Sequence, residues 1–239
     1  MIPLHDDNPT TIKPIVTISL IIACVLVFFY QLSLPASGER IFVYQFGAIP
    51  AVLFGTDSVS SRHAIIPAPL SLISSMFLHG GWMHLIGNML YLWIFANNIE
   101  DAMGHRRFIA FYTLCGVIAA LSHALTAPGS SIPMVGASGA ISGVLGAYLL
   151  LYPRASVLVV IPIWVFLKFI RVPAALVLGF WFLLQLFSGS ASLSGDGGGV
   201  AWFAHIGGFI AGMVLIGFFK RPGVRFFNPP RRHSRGYGG

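Results

Sequence analysis

Residues 200–219 read VAWFAHIGGFIAGMVLIGFF, a run with no charged side chain and a single histidine, His205. A helix rising about 1.5 Å per residue needs about 20 apolar residues to cross the hydrocarbon of a bilayer. This run therefore reads as a membrane span. The rest of the chain follows suit: 56% of its 239 residues are apolar and 9% are charged, where soluble domains carry about 25% charged residues. Other apolar stretches run from Ile15 to Leu34, Trp82 to Ile99, Phe108 to Thr126, Ser138 to Tyr152 and Val172 to Phe187. The expected fold is an all-α membrane protein, a bundle of six transmembrane helices. Residues 1–14 are expected to be a cytoplasmic N-terminal tail, 15–219 the helical domain and 220–239 a basic, disordered C-terminal tail.

A cleavable signal peptide is not expected. Asp6 and Asp7 stand near the start, and no clear small-residue cleavage site follows the first apolar run. Cys24 and Cys115 fall mid-span, where a thiol behaves as a small hydrophobe, so they do not identify a redox compartment. The net charge of +7 is concentrated in Lys220, Arg221, Arg225, Arg231, Arg232 and Arg235. That placement reads as a topology anchor against anionic lipid headgroups. No nucleic-acid partner is expected.

Alternate loops carry unequal charge. Lys13, Arg106, Arg107, Arg154, Lys168, Arg171 and the six tail residues fall on one side, and Arg40 and Arg62 on the other. The positive-inside rule places both termini in the cytoplasm. Ser156 to Phe169, broken by Pro162, reads as an interfacial or re-entrant connection on that side.

This topology brings polar groups to one depth. His84 and Asn88 lie early in the second helix, Ser138 opens the fourth and His205 lies near the start of the sixth, all in the outer half of the bilayer. The loop 127–137 is uncharged and holds Pro128, Gly129, Pro133 and Gly136. Such a loop can dip into the membrane over a cavity, so the short fourth helix is expected to start below the outer surface. Small residues repeat on two helices: Ser138, Ser142 and Gly146, with Gly139 and Gly143 beside them, and Ala204, Gly208 and Gly212. Such faces let membrane helices approach closely, which would put His205 within reach of Ser138. Each feature also has an ordinary explanation: helix packing for the glycines, an interhelical hydrogen bond or cap for Ser138, and a satisfied core histidine for His205. Their joint placement is what favours chemistry.

The motifs His79-Gly80-Gly81-Trp82-Met83-His84-Leu85-Ile86-Gly87-Asn88, Glu100 to Gly104 (Glu-x-x-x-Gly), Gly136-Ala137-Ser138-Gly139 and Ala204-His205-Ile206-Gly207-Gly208 with Gly212 occur in this order. In this the chain closely resembles the rhomboid family of intramembrane serine proteases. The resemblance implies Ser138 as nucleophile, His205 as general base, and His84, Asn88 and the Ser138 N–H as oxyanion donors. No acid falls in an expected outer half-helix, which fits the Ser–His dyad of the family. Some members carry a tyrosine one turn after the nucleophile, packed on the imidazole. Ser142 stands there in this chain, so other neighbours must orient His205.

His84 and Asn88 at i and i+4 can present N–H donors from one helix face. A substrate helix must unwind to be cut, so membrane-anchored proteins with Gly, Ala or Ser near the cleavage point are the expected substrates. The Gly- and Ser-rich connection 188–199 reads as a lid or a simple surface loop. Trp82 reads as an interfacial anchor. His79 reads as a solvated loop histidine, a support for His84 or a substrate contact, and His123, near the outer end of the third span, as a cap or a partner of the loop. No Cys/His cluster has zinc spacing and no phosphate loop follows a strand, so neither metal nor cofactor is expected. Two rival readings are a non-catalytic rhomboid-like protein that binds membrane segments, and a transporter with a polar path. The clustering of polar groups at one end and the lack of a repeated half speak against the transporter.

Overall fold

The computed structural model describes residues 2–56, 65–191 and 201–228. The chain runs β1 (Ile2–Asp6), α1 (Ile15–Ser33), α2 (Ala36–Phe46), α3 (Pro50–Leu53), α4 (Ala68–Ser74) with a 3₁₀ turn Ser75–Phe77, α5 (Trp82–Tyr91), a π turn Leu92–Ala96, α6 (Asn97–Met103), α7 (His105–Ala124), α8 (Ser138–Leu151), β2 (Ser156–Ile163), β3 (Phe166–Pro173), α9 (Ala174–Ala191) and α10 (Trp202–Phe219). Among the described residues, α1, α7, α9 and α10 are long and apolar enough to cross a membrane. The stretch expected as the second span is α5, the π turn and α6 in succession. The fourth is the shorter apolar helix α8.

The helix α8 is apolar all round, and such a helix belongs inside a bundle. Every residue from Gly139 to Tyr148 is buried. It packs mainly on α10 and α7. A Cβ added at Gly208 would collide with the Gly139 carbonyl, and one at Gly212 with the Gly143 carbonyl. The two helices therefore meet backbone to backbone. Cys115 of α7 fills the space on the other side of Gly143, and its thiol is free and buried. The outer faces of α1 and α9 expose Ile22, Leu26 and Phe29, and Phe180, Leu183 and Phe187, apolar surface suited to lipid.

The expectation of an all-α fold is corrected by a three-stranded antiparallel sheet in the order β1-β2-β3. The stretch 156–169, read as an irregular connection, forms β2 and much of β3, and β1 comes from the expected N-terminal tail. Pro162 pairs with Leu167 on β3, but β1 reaches only as far as Val160, where it meets Ile2. The missing N–H of Pro162 thus lies beyond the end of β1. The hairpin turns at Trp164-Val165, with Trp164 at φ 54°. These residues carry no Asn-Gly or Asp-Gly signature, which is why the hairpin is not legible in the sequence.

The sheet sits at the end of α8 remote from Ser138. Tyr148 donates to Asp6 at 2.6 Å, and Asp7 pairs with Arg171. Two acids of α6 tie down the same end. Glu100 accepts from Val16 N at 2.9 Å, Thr17 N at 2.8 Å and the Thr17 hydroxyl at 2.6 Å. It thereby caps α1, whose own N-cap residue, Pro14, has no side-chain acceptor. Asp101 accepts from the Thr11 hydroxyl at 2.6 Å and from Arg221 at 3.2 Å. The start of the expected disordered tail is corrected as well. Phe227 N and Asn228 N bond to Leu150 O and Leu151 O, so residues 220–228 fold back on the bundle. Residues 229–239 lie outside the described residues.

Two outcomes are expected. Gly212→Val forces α8 and α10 apart and costs about 1–3 kcal/mol or more, visible as a lower thermal midpoint in detergent. Burial pushes the Asp6 carboxyl up to about 6 from 3.8, against the opposing pull of the Tyr148 hydrogen bond. The folded state then holds its proton to higher pH than the unfolded chain does. The stability contributed by this group is complete below pH 3.8 and lost as pH rises through about 6. Asp6→Asn is expected to abolish that fall, at most about 3 kcal/mol, in thermal melts recorded from pH 4 to 7.

Candidate active site

The close approach of α8 and α10 brings Ser138 and His205 together. His205 Nε2 lies 2.8 Å from Ser138 Oγ. Ser138 is the first residue of α8, and its N–H has no backbone acceptor among the described residues. Both side chains line a cavity of about 880 Å³, which is also lined by His84, Asn88, His123 and Trp181. The loop before α8 is held in place by an antiparallel bridge between Ala48 and Met134 and by Gly136 N bonding to Ser75 O at 2.9 Å.

His84 and Asn88 project from α5 towards that loop. Gly80 N donates to His84 Nδ1 at 3.3 Å. A neutral imidazole that accepts at Nδ1 carries its proton at Nε2. Gly136 marks where this donor points. A Cβ there would sit 2.6 Å from His84 Nε2 and 3.6 Å from Asn88 Nδ2. Gly136 also holds φ at 122°, a conformation that suits glycine alone. Asn88 Nδ2 is buried without a hydrogen-bond partner among the described residues. Buried polar groups are normally satisfied, so this amide is available to an incoming acceptor. Three N–H donors thus border the space beside Ser138: His84 Nε2, Asn88 Nδ2 and the Ser138 N–H.

The sequence pattern of the rhomboid domain matches residues 68–222. The chain belongs to the rhomboid family. It is similar to Rhomboid protein 1, mitochondrial, of Saccharomyces cerevisiae, 32% identical over 160 residues, covering 64% of this chain and 42% of the relative. It is also similar to Presenilin-associated rhomboid-like protein A, mitochondrial, of Danio rerio, 29% identical over 202 residues, covering 77% of this chain and 47% of the relative. The alignment with Presenilin-associated rhomboid-like protein, mitochondrial, of Bos taurus covers 84% of this chain and 53% of the relative. The chain thus spans about half the length of these relatives. A rhomboid domain together with four helices of membrane-spanning length makes this a multi-pass integral membrane protein.

Within this rhomboid, two residues that sequence reasoning missed frame His205. Gln185 Oε1 lies 2.8 Å from His205 Nδ1, and Trp181 lies one turn before it with ring centroids 5.9 Å apart. Trp202 meets the imidazole edge-on at 6.2 Å. Ser142, one turn after Ser138, donates to the Ser138 carbonyl at 2.6 Å. A signal for Gln185 was present, since a polar amide inside the apolar run 172–187 is costly in hydrocarbon.

The reading of His79 as a loop histidine is corrected. His79 is fully buried and not a solvated loop residue. Its backbone exchanges hydrogen bonds with the Gln31 side chain at 3.1 and 3.2 Å, and its ring packs against His84 at 5.2 Å. Trp82 packs edge-on against Phe28 at 5.1 Å. His123 stacks on Phe203 at 6.5 Å. Of the connection read as a lid, 188–191 belongs to α9, and the remainder lies outside the described residues. Among the described residues, no group of three His, Cys, Asp or Glu side chains is placed to hold a metal.

Gly136→Ala is expected to displace the His84 ring and to cost about 1–3 kcal/mol through strain and overpacking. The shift of the His84 imidazole signals in ¹⁵N spectra and the thermal midpoint report the two effects separately.

Proposed function

We propose that this rhomboid is an intramembrane serine endopeptidase that cuts membrane-anchored proteins in or near their transmembrane segments with a Ser138–His205 dyad. The observation that carries the reading is the 2.8 Å contact between Ser138 Oγ and His205 Nε2 at the wall of a cavity. In the acylation step His205 Nε2 takes the hydroxyl proton as Oγ bonds to the scissile carbonyl carbon. The carbonyl becomes an oxyanion, which His84, Asn88 and the Ser138 N–H stabilise. The C–N bond then breaks and the imidazolium gives its proton to the leaving amine. Water attacks the resulting ester with His205 again as base, and the second product leaves with a carboxyl end.

The reading includes six spans, with α8 starting below the outer surface and both termini in the cytoplasm. The asymmetry of Lys and Arg between loops supports it. In a bacterium the protein would lie in the plasma membrane, with the site open to the extracytoplasmic side. The domain comprises residues 15–219, with the segment 1–14 before it and the basic tail 220–239 near anionic headgroups. Substrates carry the small residues Gly, Ala or Ser near the cut, and Gly in particular weakens the helix there. No metal or other cofactor takes part.

The test uses the purified full chain in detergent, a fluorophosphonate probe and a transmembrane peptide. Ser138→Ala and His205→Ala are expected to lose both labelling and cleavage, and Asn88→Ala to lose about 10²–10³-fold in kcat. Cleavage that persists in both dyad variants overturns the mechanism. A wild-type chain that binds the peptide but neither labels nor cuts is a non-catalytic relative.

A further inference from the structure

Gln185 of α9 is 6% exposed, and both ends of its amide are occupied. Its Nε2 donates to the Trp181 carbonyl at 3.2 Å, and its Oε1 faces His205 Nδ1 at 2.8 Å. The reversed amide would set oxygen against the Trp181 carbonyl oxygen, so the network fixes its orientation. An amide oxygen only accepts, so His205 Nδ1 must carry the hydrogen. A neutral imidazole has one N–H. Nε2 is then left with a lone pair, aimed at Ser138 Oγ 2.8 Å away.

We propose that Gln185 is the positioning residue of this site, a neutral third member that selects the tautomer and the ring orientation of His205. The proposal rests on the dyad reading above and extends it. An acceptor at Nδ1 does more than hold the ring: as Nε2 takes the serine proton the imidazole becomes cationic, and the Nδ1–H···O bond strengthens. A carboxylate would do this more strongly, but an isolated ionised carboxylate between membrane helices is costly. Glutamine offers the same acceptor geometry without the buried charge. Base and positioning residue come from different helices, so the site is complete only while α9 rests on α10.

The experiment uses the full chain labelled with ¹⁵N-histidine, wild type and three variants. In the wild type His205, assigned by comparison with His205→Ala, is expected to be protonated at Nδ1 and bare at Nε2. Gln185→Met keeps the volume and removes the acceptor. It should lower kcat about 10- to 100-fold, the rate equivalent of one hydrogen bond. KM and the thermal midpoint should hold, and the imidazole should become a mixture of tautomers. Gln185→Glu restores an acceptor. It should keep kcat within about tenfold of wild type and move the acid limb of the pH–kcat profile up by about one unit, because a nearby carboxylate favours the imidazolium. The other titratable groups facing His205 are His84 from α5 and His123 from α7, present in every variant.

A wild-type His205 protonated at Nε2 overturns the proposal even where Gln185→Met does not fold. So does a folded Gln185→Met with unchanged kcat and tautomer. Failure of the dyad itself registers differently, as cleavage that survives Ser138→Ala.

Discussion

Backbone contact between α8 and α10 governs this molecule. Carbonyls of Gly139 and Gly143 occupy the space that side chains at Gly208 and Gly212 would fill. Lipid tails are as apolar as leucine, so membrane helices gain little from hiding apolar surface from each other and associate through close packing. The approach of these two helices also sets the spacing of the site. Ser138 and His205 stand 67 residues apart in the chain, yet their side chains share a hydrogen bond of 2.8 Å. Wider packing would lengthen that contact and leave two polar groups unsatisfied in an apolar surrounding.

The two ends of α8 do different work. Its N-terminus opens on the cavity, with free N–H groups and the positive end of the helix dipole near the donors His84 and Asn88. Its C-terminal end is locked by Tyr148 on Asp6 and, through β1 and β2, by the sheet. Glu100 and Asp101 hold α1 and the segment after α10 at that end. Asp6, Glu100 and Asp101 there have protein partners, whereas Asn98 Oδ1 of α6 is buried without one among the described residues. At the cavity end Asn88 Nδ2 and His123 Nδ1 are buried without a partner among the described residues. An unsatisfied buried amide is costly in a structure whose only purpose is stability, and the placement of Asn88 Nδ2 at the cavity wall is consistent with a binding role.

The parts of the fold legible in the sequence are those written as composition or local spacing. Long apolar runs identify α1, α7, α9 and α10, because crossing hydrocarbon demands length and apolarity whatever the neighbours. Gly-x-Ser-Gly, the His-x-x-x-Asn pair and the Ala-His-x-x-Gly element are local too, and the structure brings all of them to one cavity. The sheet was hidden because β1 comes from the N-terminus, more than 150 residues from its partner β2, and the hairpin turn is Trp164-Val165 instead of a glycine turn. Gln185 was hidden because a lone amide in an apolar helix has no local signature of which face it presents.

By itself, then, the sequence determined a multi-pass membrane protein with a rhomboid domain, and it named Ser138, His205, His84 and Asn88. Those conclusions depend on side-chain chemistry and on periods within single helices. Only the tertiary structure decided what contacts His205, where Asn88 and His84 point, and how the N-terminal segment pairs with the 156–173 hairpin. Each is a contact between elements distant in the chain. Such contacts depend on helix rotation and separation, which are set by the packing of the whole bundle and not by any one segment.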